Sequence, residues 1–268
     1  MKPRDWISEL LSNSGTKPVI LVEGESDIFL YMHLLTLIDP DWRVRFGMES
    51  VEGKKQVFQG CKSVKTWRGL VDRDEWGEAK IAEEQKKAVN VQVLPRFTAE
   101  NYLVNPAELW SLIPAGARAA HPDAQAQITT AMEAQRVAWT AHGAMWRVML
   151  RRQVGLGDLG FPQELTNAPV TDEEQIMAIL TCWHDHFKPE DVMAEYRTER
   201  DAALARSPDE QYAHVIHGKR FFRRVVTLAL NQAFSTPRKT AEEWAEDLVM
   251  GITTVPADLM PLMGVLLA

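Results

Sequence analysis

Cysteine is scarce in this 268-residue chain: Cys61 and Cys182 are the only two, and neither belongs to a C-x-x-C pair. That excludes a disulfide framework and a zinc ribbon and leaves two ordinary buried thiols as the expectation. No apolar run approaches the roughly 20 residues that a membrane-spanning helix needs; the longest apolar tail is LMPLMGVLLA at 259–268. The opening MKPRDWISELL carries charge within its first residues and has no continuous apolar stretch before a small-residue cleavage site. A secretory signal is therefore not expected, and the chain reads as soluble and cytoplasmic. Basic residues are outnumbered, 30 Lys and Arg against 37 Asp and Glu, giving a formal net charge of −7. That average counts against nucleic acid as a partner, because phosphate binding is chiefly electrostatic. It leaves room for a local basic rim beside an acidic metal site. No internal repeat is visible.

With 46% hydrophobic and 25% charged residues, the chain can bury a substantial core as one large or two small domains. Its first hundred residues alternate in type. VILV (19–22) predicts a strand, and residues 26–38 predict a helix from the spacing of Ile28, Leu30, Tyr31, Leu34, Leu35 and Ile38. WRVRF (42–46) predicts a second strand, KKQVFQGCKSV (54–64) a helix weakened by Gly60, and TWRGLV (66–71) a third strand. EWGEAKIAEEQKKA (75–88) predicts a solvent-facing helix and VNVQVL (89–94) a fourth strand. This is the pattern of a mostly parallel sheet with helical crossovers, in which ligands gather at the carboxyl ends of the strands. After Asn105-Pro106 the segments favour helix, with Gly and Pro in loops such as VGLGDLGFPQ (154–163). The expected organisation is an α/β domain over 1–108 followed by a largely helical region over 109–268.

The strand VILV runs directly into Glu23, Glu25 and Asp27. Two carboxylates roughly 4 Å apart repel by about 4 kcal/mol at an effective dielectric near 20, and a bound divalent cation reverses that sign. Glu23 ends the first strand, Gly24 permits a tight turn, and Asp27 follows near the first turn of the next helix. The third strand ends in Asp72-Arg73-Asp74, where alternate residues can reach one ion while Arg73 points elsewhere. These oxygen donors suit Mg2+ or Mn2+ without His or Cys. The bland alternative makes them ordinary capping and loop carboxylates.

VEGESD followed by VDRD resembles the Toprim domain of topoisomerases, bacterial primases and nucleases of the overcoming-lysogenization-defect (OLD) family, over roughly residues 17–105. A Toprim pattern pairs a Glu at one strand end with Asp-x-Asp at another. LPRFTAENYLVNP (94–106) and VIHGKRFF (215–222) resemble the Glu-Asn-Tyr-Leu and Gly-Lys segments of OLD-like Toprim proteins that accompany ABC-type ATPases, most like the Toprim subunit of the PARIS anti-phage system. The resemblance implies a metal-dependent endonuclease. Glu23, Asp72 and Asp74 would be catalytic, and two ions would be held by these three with Asp27 and Glu100. Lys219 would sit at the scissile phosphate. It further implies an ATPase partner and tRNA or other host RNA as substrate, with DNA cleavage or a silent docking module as alternatives. The chain has no zinc-binding cysteine set and no room for a strand-passage gate, which separates it from topoisomerases and primases.

Other residues carry two readings each. Glu100 is a metal ligand or a helix-start carboxylate. Arg147, Arg151 and Arg152 share one helical side, and Lys219, Arg220, Arg223 and Arg224 cluster in another helix. They form a nucleic-acid track, or they pair with nearby acids. His184 and His186 stand two apart on a helix and do not share a face, so zinc is not expected there. His217, beside Gly218-Lys219, is a candidate phosphate contact. LMPLMGVLLA is a core or docking segment; if exposed, it would meet the ATPase or a second copy, making a homodimer of the active form.

Overall fold

The computed structural model describes residues 6–15, 17–158, 173–235 and 238–268. The chain forms two units, Met1–Ala134 with His217–Ala268, and Gln135–Ile216.

In the first unit, α1 (Trp6–Ser14) precedes β1 (Val19–Val22). Helices α2 (Glu25–Ile38) and α3 (Trp42–Arg45) lead to β2 (Gly47–Ser50), α4 (Lys54–Ser63) to β3 (Arg68–Val71), and α5 (Glu78–Lys87) to β4 (Val91–Val93). All four strands are parallel, in the order β2-β1-β3-β4. A parallel sheet flanked by its own crossover helices is buried on both faces, so an inner strand must be apolar throughout. Val19, Ile20, Leu21 and Val22 of β1 are each at most 1% exposed. At about 1.5–3 kcal/mol per buried aliphatic side chain, this strand contributes an upper bound of roughly 6–12 kcal/mol. That is enough to anchor a strand end carrying unfavourable charge.

Alternation along β1 sends Val19 and Leu21 into a core with Val57, Phe58, Cys61 and Trp67, closed by Trp6 and Leu10 of α1. Gly60 lowers the helical propensity of α4, yet the packing requires it. A Cβ there would stand 2.6 Å from Leu21 Cδ1 and 2.8 Å from the Trp6 ring.

The second strand differs from the sequence expectation. WRVRF forms α3 instead, and β2 falls on the polar GMES. Strand alternation would bury Trp42, Val44 and Phe46 together, but Val44 is 75% exposed while Trp42 and Phe46 are buried. Burial at i and i+4 is helical spacing, and Phe46 N donates to Trp42 O at 2.9 Å. As an edge strand, β2 needs no apolar run, so it lacked the signal that marked the others.

After β4 come a 3₁₀ turn (Ala99–Tyr102), α6 (Pro106–Leu112), α7 (Ala115–Ala120) and the long α8 (Ala124–Asp158). Helix α8 takes up the first residues of the expected loop at 154–163; residues 159–163 lie outside the described residues. Then follow α9 (Glu173–His186), α10 (Pro189–Leu204) and α11 (Pro208–His214). Helix α12 (Gly218–Phe221) continues through a π-helical turn (Phe222–Val226) into α13 (Thr227–Ala233), with α14 (Ala241–Met250) and α15 (Met260–Leu267) last. No helix among the described residues is long and apolar enough to cross a membrane.

The sequence places a boundary at 108–109, whereas residues 109–134 and 217–268 group with the sheet. The reason is packing across a long sequence separation. His33 Nε2 lies 2.7 Å from Ile252 O, and Arg45 donates to Leu267 O at 3.0 Å. Met263, Leu266 and Leu267 are buried, so LMPLMGVLLA contributes to the core. Arg96, just after β4, gathers these pieces. It makes two bonds to Glu108 (2.5 and 2.9 Å), one to Asp258 (3.1 Å) and one to Asn101 O (3.1 Å), and it lies 4.1 Å over the Tyr102 ring. Lysine would keep the charge and lose the fork and the stacking. Arg96→Lys is expected to cost about 2 kcal/mol in urea unfolding. A midpoint equal to wild type would show that the network does not hold the C-terminal segment.

The second unit is built around Ala144, Ala203 and Val215, with Tyr196 against them. Buried Gln211 ties its helices together, accepting from Thr140 Oγ1 (3.1 Å) and Arg136 (2.5 Å) and donating to Leu204 O and Arg206 O.

Candidate active site

From β1 the chain crosses to β2, and from β3 to β4, on opposite sides of the sheet. Adjacent strands whose connections diverge leave a crevice between their carboxyl ends. Glu23 follows β1 and Asp72 follows β3, so both open into that crevice. Glu23 Oε1 accepts a hydrogen bond from Asp72 N at 2.7 Å, joining residues 49 apart in sequence.

Gly24 caps α2, and its N–H donates to Asp27 Oδ2 at 3.1 Å, which turns Asp27 back toward the strand end; Asp27 is 6% exposed. Asp72 Oδ1 accepts from Ala99 N at 3.0 Å, which brings the 3₁₀ turn and its Glu100 to the same place. Asp74 has φ +48°, a left-handed conformation that Asp tolerates better than most residues. Its N–H donates to Phe97 O at 2.8 Å, and its Oδ2 accepts from Lys54 Nζ at 2.6 Å. Arg73 turns away, to Glu78 (2.7 Å), Trp76 O (3.1 Å) and Pro95 O (3.2 Å). This is the divergence expected of neighbouring residues leaving a strand.

Burial raises the Glu23 carboxyl to about 7, partly offset by the Lys54 cation and reinforced by Asp74 and Asp27. Asp27 is raised to about 6, by burial first and then by the charge of Glu100, with Lys219 opposing. Asp72 is raised well above the carboxylate range by burial and then by Asp27, Asp74, Glu23 and Glu100. The three raised carboxylates, Glu23, Asp27 and Asp72, therefore feel neighbouring negative charge through a weakly screened interior. All are oxygen donors, the chemistry that suits a hard divalent cation. In the arrangement observed, main-chain N–H groups bond Glu23, Asp27 and Asp72, and Lys54 bonds Asp74. Among the described residues, no three or more His, Cys, Asp or Glu side chains form a group able to hold a metal ion.

No family model, curated protein or solved structure matches the chain. What the site can do is accordingly argued from its own residues.

Lys219 reaches the cluster from 193 residues away, its Nζ donating to Ser26 Oγ at 3.1 Å. Gly218 makes this approach possible, since a Cβ there would stand 2.4 Å from Asn101 Oδ1 and 2.7 Å from Thr98 Oγ1. Thr98 and Asn101 are buried and bonded to each other, Thr98 N and Oγ1 both donating to Asn101 Oδ1 at 2.8 and 2.9 Å. The ENYL and HGK segments therefore touch, and Asn101 has the structural role of receiving Gly218. Arg220 and Arg224 are exposed, and Arg223 pairs with Glu242 at 2.9 Å.

The other expected basic residues belong to the second unit and are engaged locally. Arg151 pairs with Glu195 and Glu199, both at 2.9 Å, Arg152 pairs with Glu195 at 2.9 Å, and Arg147 donates to His214 O. Lys54 was missed from the sequence. It sits at the first position of α4, 4.6 Å over the Trp76 ring and bonded to Asp74. Lys54-Lys55 at a helix start opposes the helix dipole, and that mismatch was the available signal.

Proposed function

We propose that this protein is a divalent-metal-dependent nuclease of the Toprim kind, hydrolysing phosphodiester bonds in the crevice between β1 and β3. The observation that carries this reading is the meeting of Glu23 with Asp72, beside Asp27 and Asp74, at adjacent strand ends where burial and mutual repulsion resist ionisation. A structural carboxylate has no reason to be crowded in this way, whereas a hard cation would relieve the repulsion.

Glu23, Asp72 and Asp74 would hold Mg2+ or Mn2+, with Asp27 and Glu100 beside them. Ions bound there would supply an activated water and neutralise charge on the departing oxygen. The chain's own groups prepare the site. The N–H groups of Asp72 and Ala99 each fix one oxygen of Glu23 and Asp72, which orients these carboxylates. Lys54 supplies the counter-charge for Asp74, and Lys219 stands where it can contact a phosphate. RNA, tRNA in particular, is the proposed substrate, with release from an ABC-type ATPase of a PARIS-like anti-phage system as the trigger. That choice rests on the resemblance of VEGESD, VDRD, ENYL and HGK alone; DNA is the OLD-type alternative.

A second reading, a docking module without catalysis, is favoured by one observation: Asp74 is already paired with Lys54 at 2.6 Å. Expression with and without the ATPase gene separates the two. Wild type without the ATPase is expected to arrest growth and degrade RNA, and purified protein to cut RNA in Mg2+ but not in EDTA. Glu23→Ala should do neither. Equal toxicity and identical products from Glu23→Ala would overturn the nuclease reading, and ATPase binding without cleavage by either protein would establish the docking reading.

A further inference from the structure

Beside the carboxylates lies a cavity of about 170 Å³, between the start of α2, the 3₁₀ turn, the π-helical turn and α14. Ligand pockets for drug-sized molecules run to roughly 300–1,000 Å³, so this one admits a single small ring system. Its inner wall is apolar, with Leu103 and Phe222 buried and Phe29 left 38% exposed at the mouth. Phe222 opens the π-helical turn, bonded through its carbonyl to Thr227 Oγ1 at 3.0 Å. Such turns occur often at functional sites because they displace side chains from ordinary helical spacing.

The rim is charged in two parts. Glu25, Glu100, Glu242 and Glu246 offer carboxylates; Lys219 offers a cation, and Arg223 is paired with Glu242 at 2.9 Å. An apolar slot ringed by carboxylate acceptors, with Lys219 at its edge, fits a flat group that carries hydrogen-bond donors. Its position narrows the choice. Ser26 and Lys219 line the cavity and bond to each other, and Ser26 Oγ stands 3.4 Å from Asp27 Oδ1. The cavity therefore shares a wall with the acidic cluster, and whatever reacts at that cluster has its neighbouring group here.

We infer that this cavity receives one unpaired nucleobase of the substrate strand, stacked on Phe29, with the adjoining phosphate at Lys219. The substrate identity rests on the nuclease reading; the recognition chemistry stands on the cavity itself. The rim carboxylates accept from exocyclic amino groups, so adenine, cytosine and guanine fit. The carbonyl edges of uracil and thymine would face like partial charges. A paired base cannot enter, which assigns single strands or loops as substrate.

Fluorescence anisotropy in EDTA with labelled oligoadenylate, oligocytidylate and oligouridylate of equal length tests this. Wild type is expected to bind oligoadenylate and oligocytidylate about tenfold more tightly than oligouridylate, in keeping with one amino group bonded to a rim carboxylate. Ala245→Trp, which fills the cavity from α14, should remove that tenfold while leaving the melting temperature unchanged. Phe29→Ser, at an exposed side chain, should do the same if the Trp variant fails to fold. Equal affinity for all three oligonucleotides, or variants that bind as wild type does, would overturn the inference even if wild type cleaves RNA in Mg2+. The expected binding pattern with no cleavage in Mg2+ would remove the nuclease reading and leave the nucleobase site standing. No binding of any oligonucleotide removes the nucleobase site.

Discussion

Glu23→Gln is expected to lower cleavage by at least about 10³-fold, the scale of losing a group that positions the metal-bound reaction, while making the metal-free protein more stable. The amide oxygen can still accept from Asp72 N, so the strand ends remain joined. What disappears is a negative charge that burial and Asp74 and Asp27 disfavour. With its folded value raised to about 7, Glu23 holds its proton in the native state at pH values where the unfolded chain has lost it. A raised acid stabilises the native state fully below its unfolded value, near 4.3. That contribution fades as the pH climbs through 7. In EDTA, wild type should therefore lose roughly 2 kcal/mol more than Glu23→Gln between pH 5 and pH 8 in urea unfolding. Asp27, raised to about 6, titrates in the same direction in both proteins, so the comparison reads Glu23 together with its repulsion of its neighbours. Mg2+ at pH 8 should stabilise wild type and leave the variant unmoved. Parallel pH profiles would show that the cluster is not under electrostatic strain.

Gly218→Ala should cost about 1–3 kcal/mol, the range for forcing extra volume into a packed site, and lower cleavage by more than tenfold. The added methyl meets Asn101 Oδ1 and Thr98 Oγ1, which are fixed by their bonds to each other and cannot swing aside as the end of a flexible chain would. Relief comes from tilting α12, which withdraws Lys219 from Ser26. Lys219→Met separates the two effects: its bond to Ser26 is exposed, so activity should fall without a change in melting temperature. Wild-type melting by Gly218→Ala would mean that the contact between the ENYL and HGK segments is looser than its geometry implies.

The legible parts of the fold were those governed by burial on both faces. VILV predicts a strand and forms β1, and Asp-x-Asp after the third run, TWRGLV, follows the parallel β3 and so leaves the sheet at the same edge as Glu23. The spacing over 26–38 predicts a helix that starts one residue after α2 (Glu25–Ile38) does. β2 was illegible because an edge strand carries no apolar pattern, and the neighbouring WRVRF supplied a false one. The partners of Arg151 and Arg152 were equally hidden, since pairing with Glu195 and Glu199 depends on where α10 lies rather than on local spacing. Lys54 carried a readable signal, a cation placed against a helix dipole. The cavity beside Phe29 did not, because four chain segments enclose it.

Lys219 enters its place 193 residues after Ser26. At synthesis rates of about 5–20 residues per second, some 10–40 s separate the two on the ribosome. During that interval α2 stands without α14, and the crevice lacks the lysine that balances Asp27. Completion of the site thus waits on the segment that carries Lys219 and α14, which packs on α2.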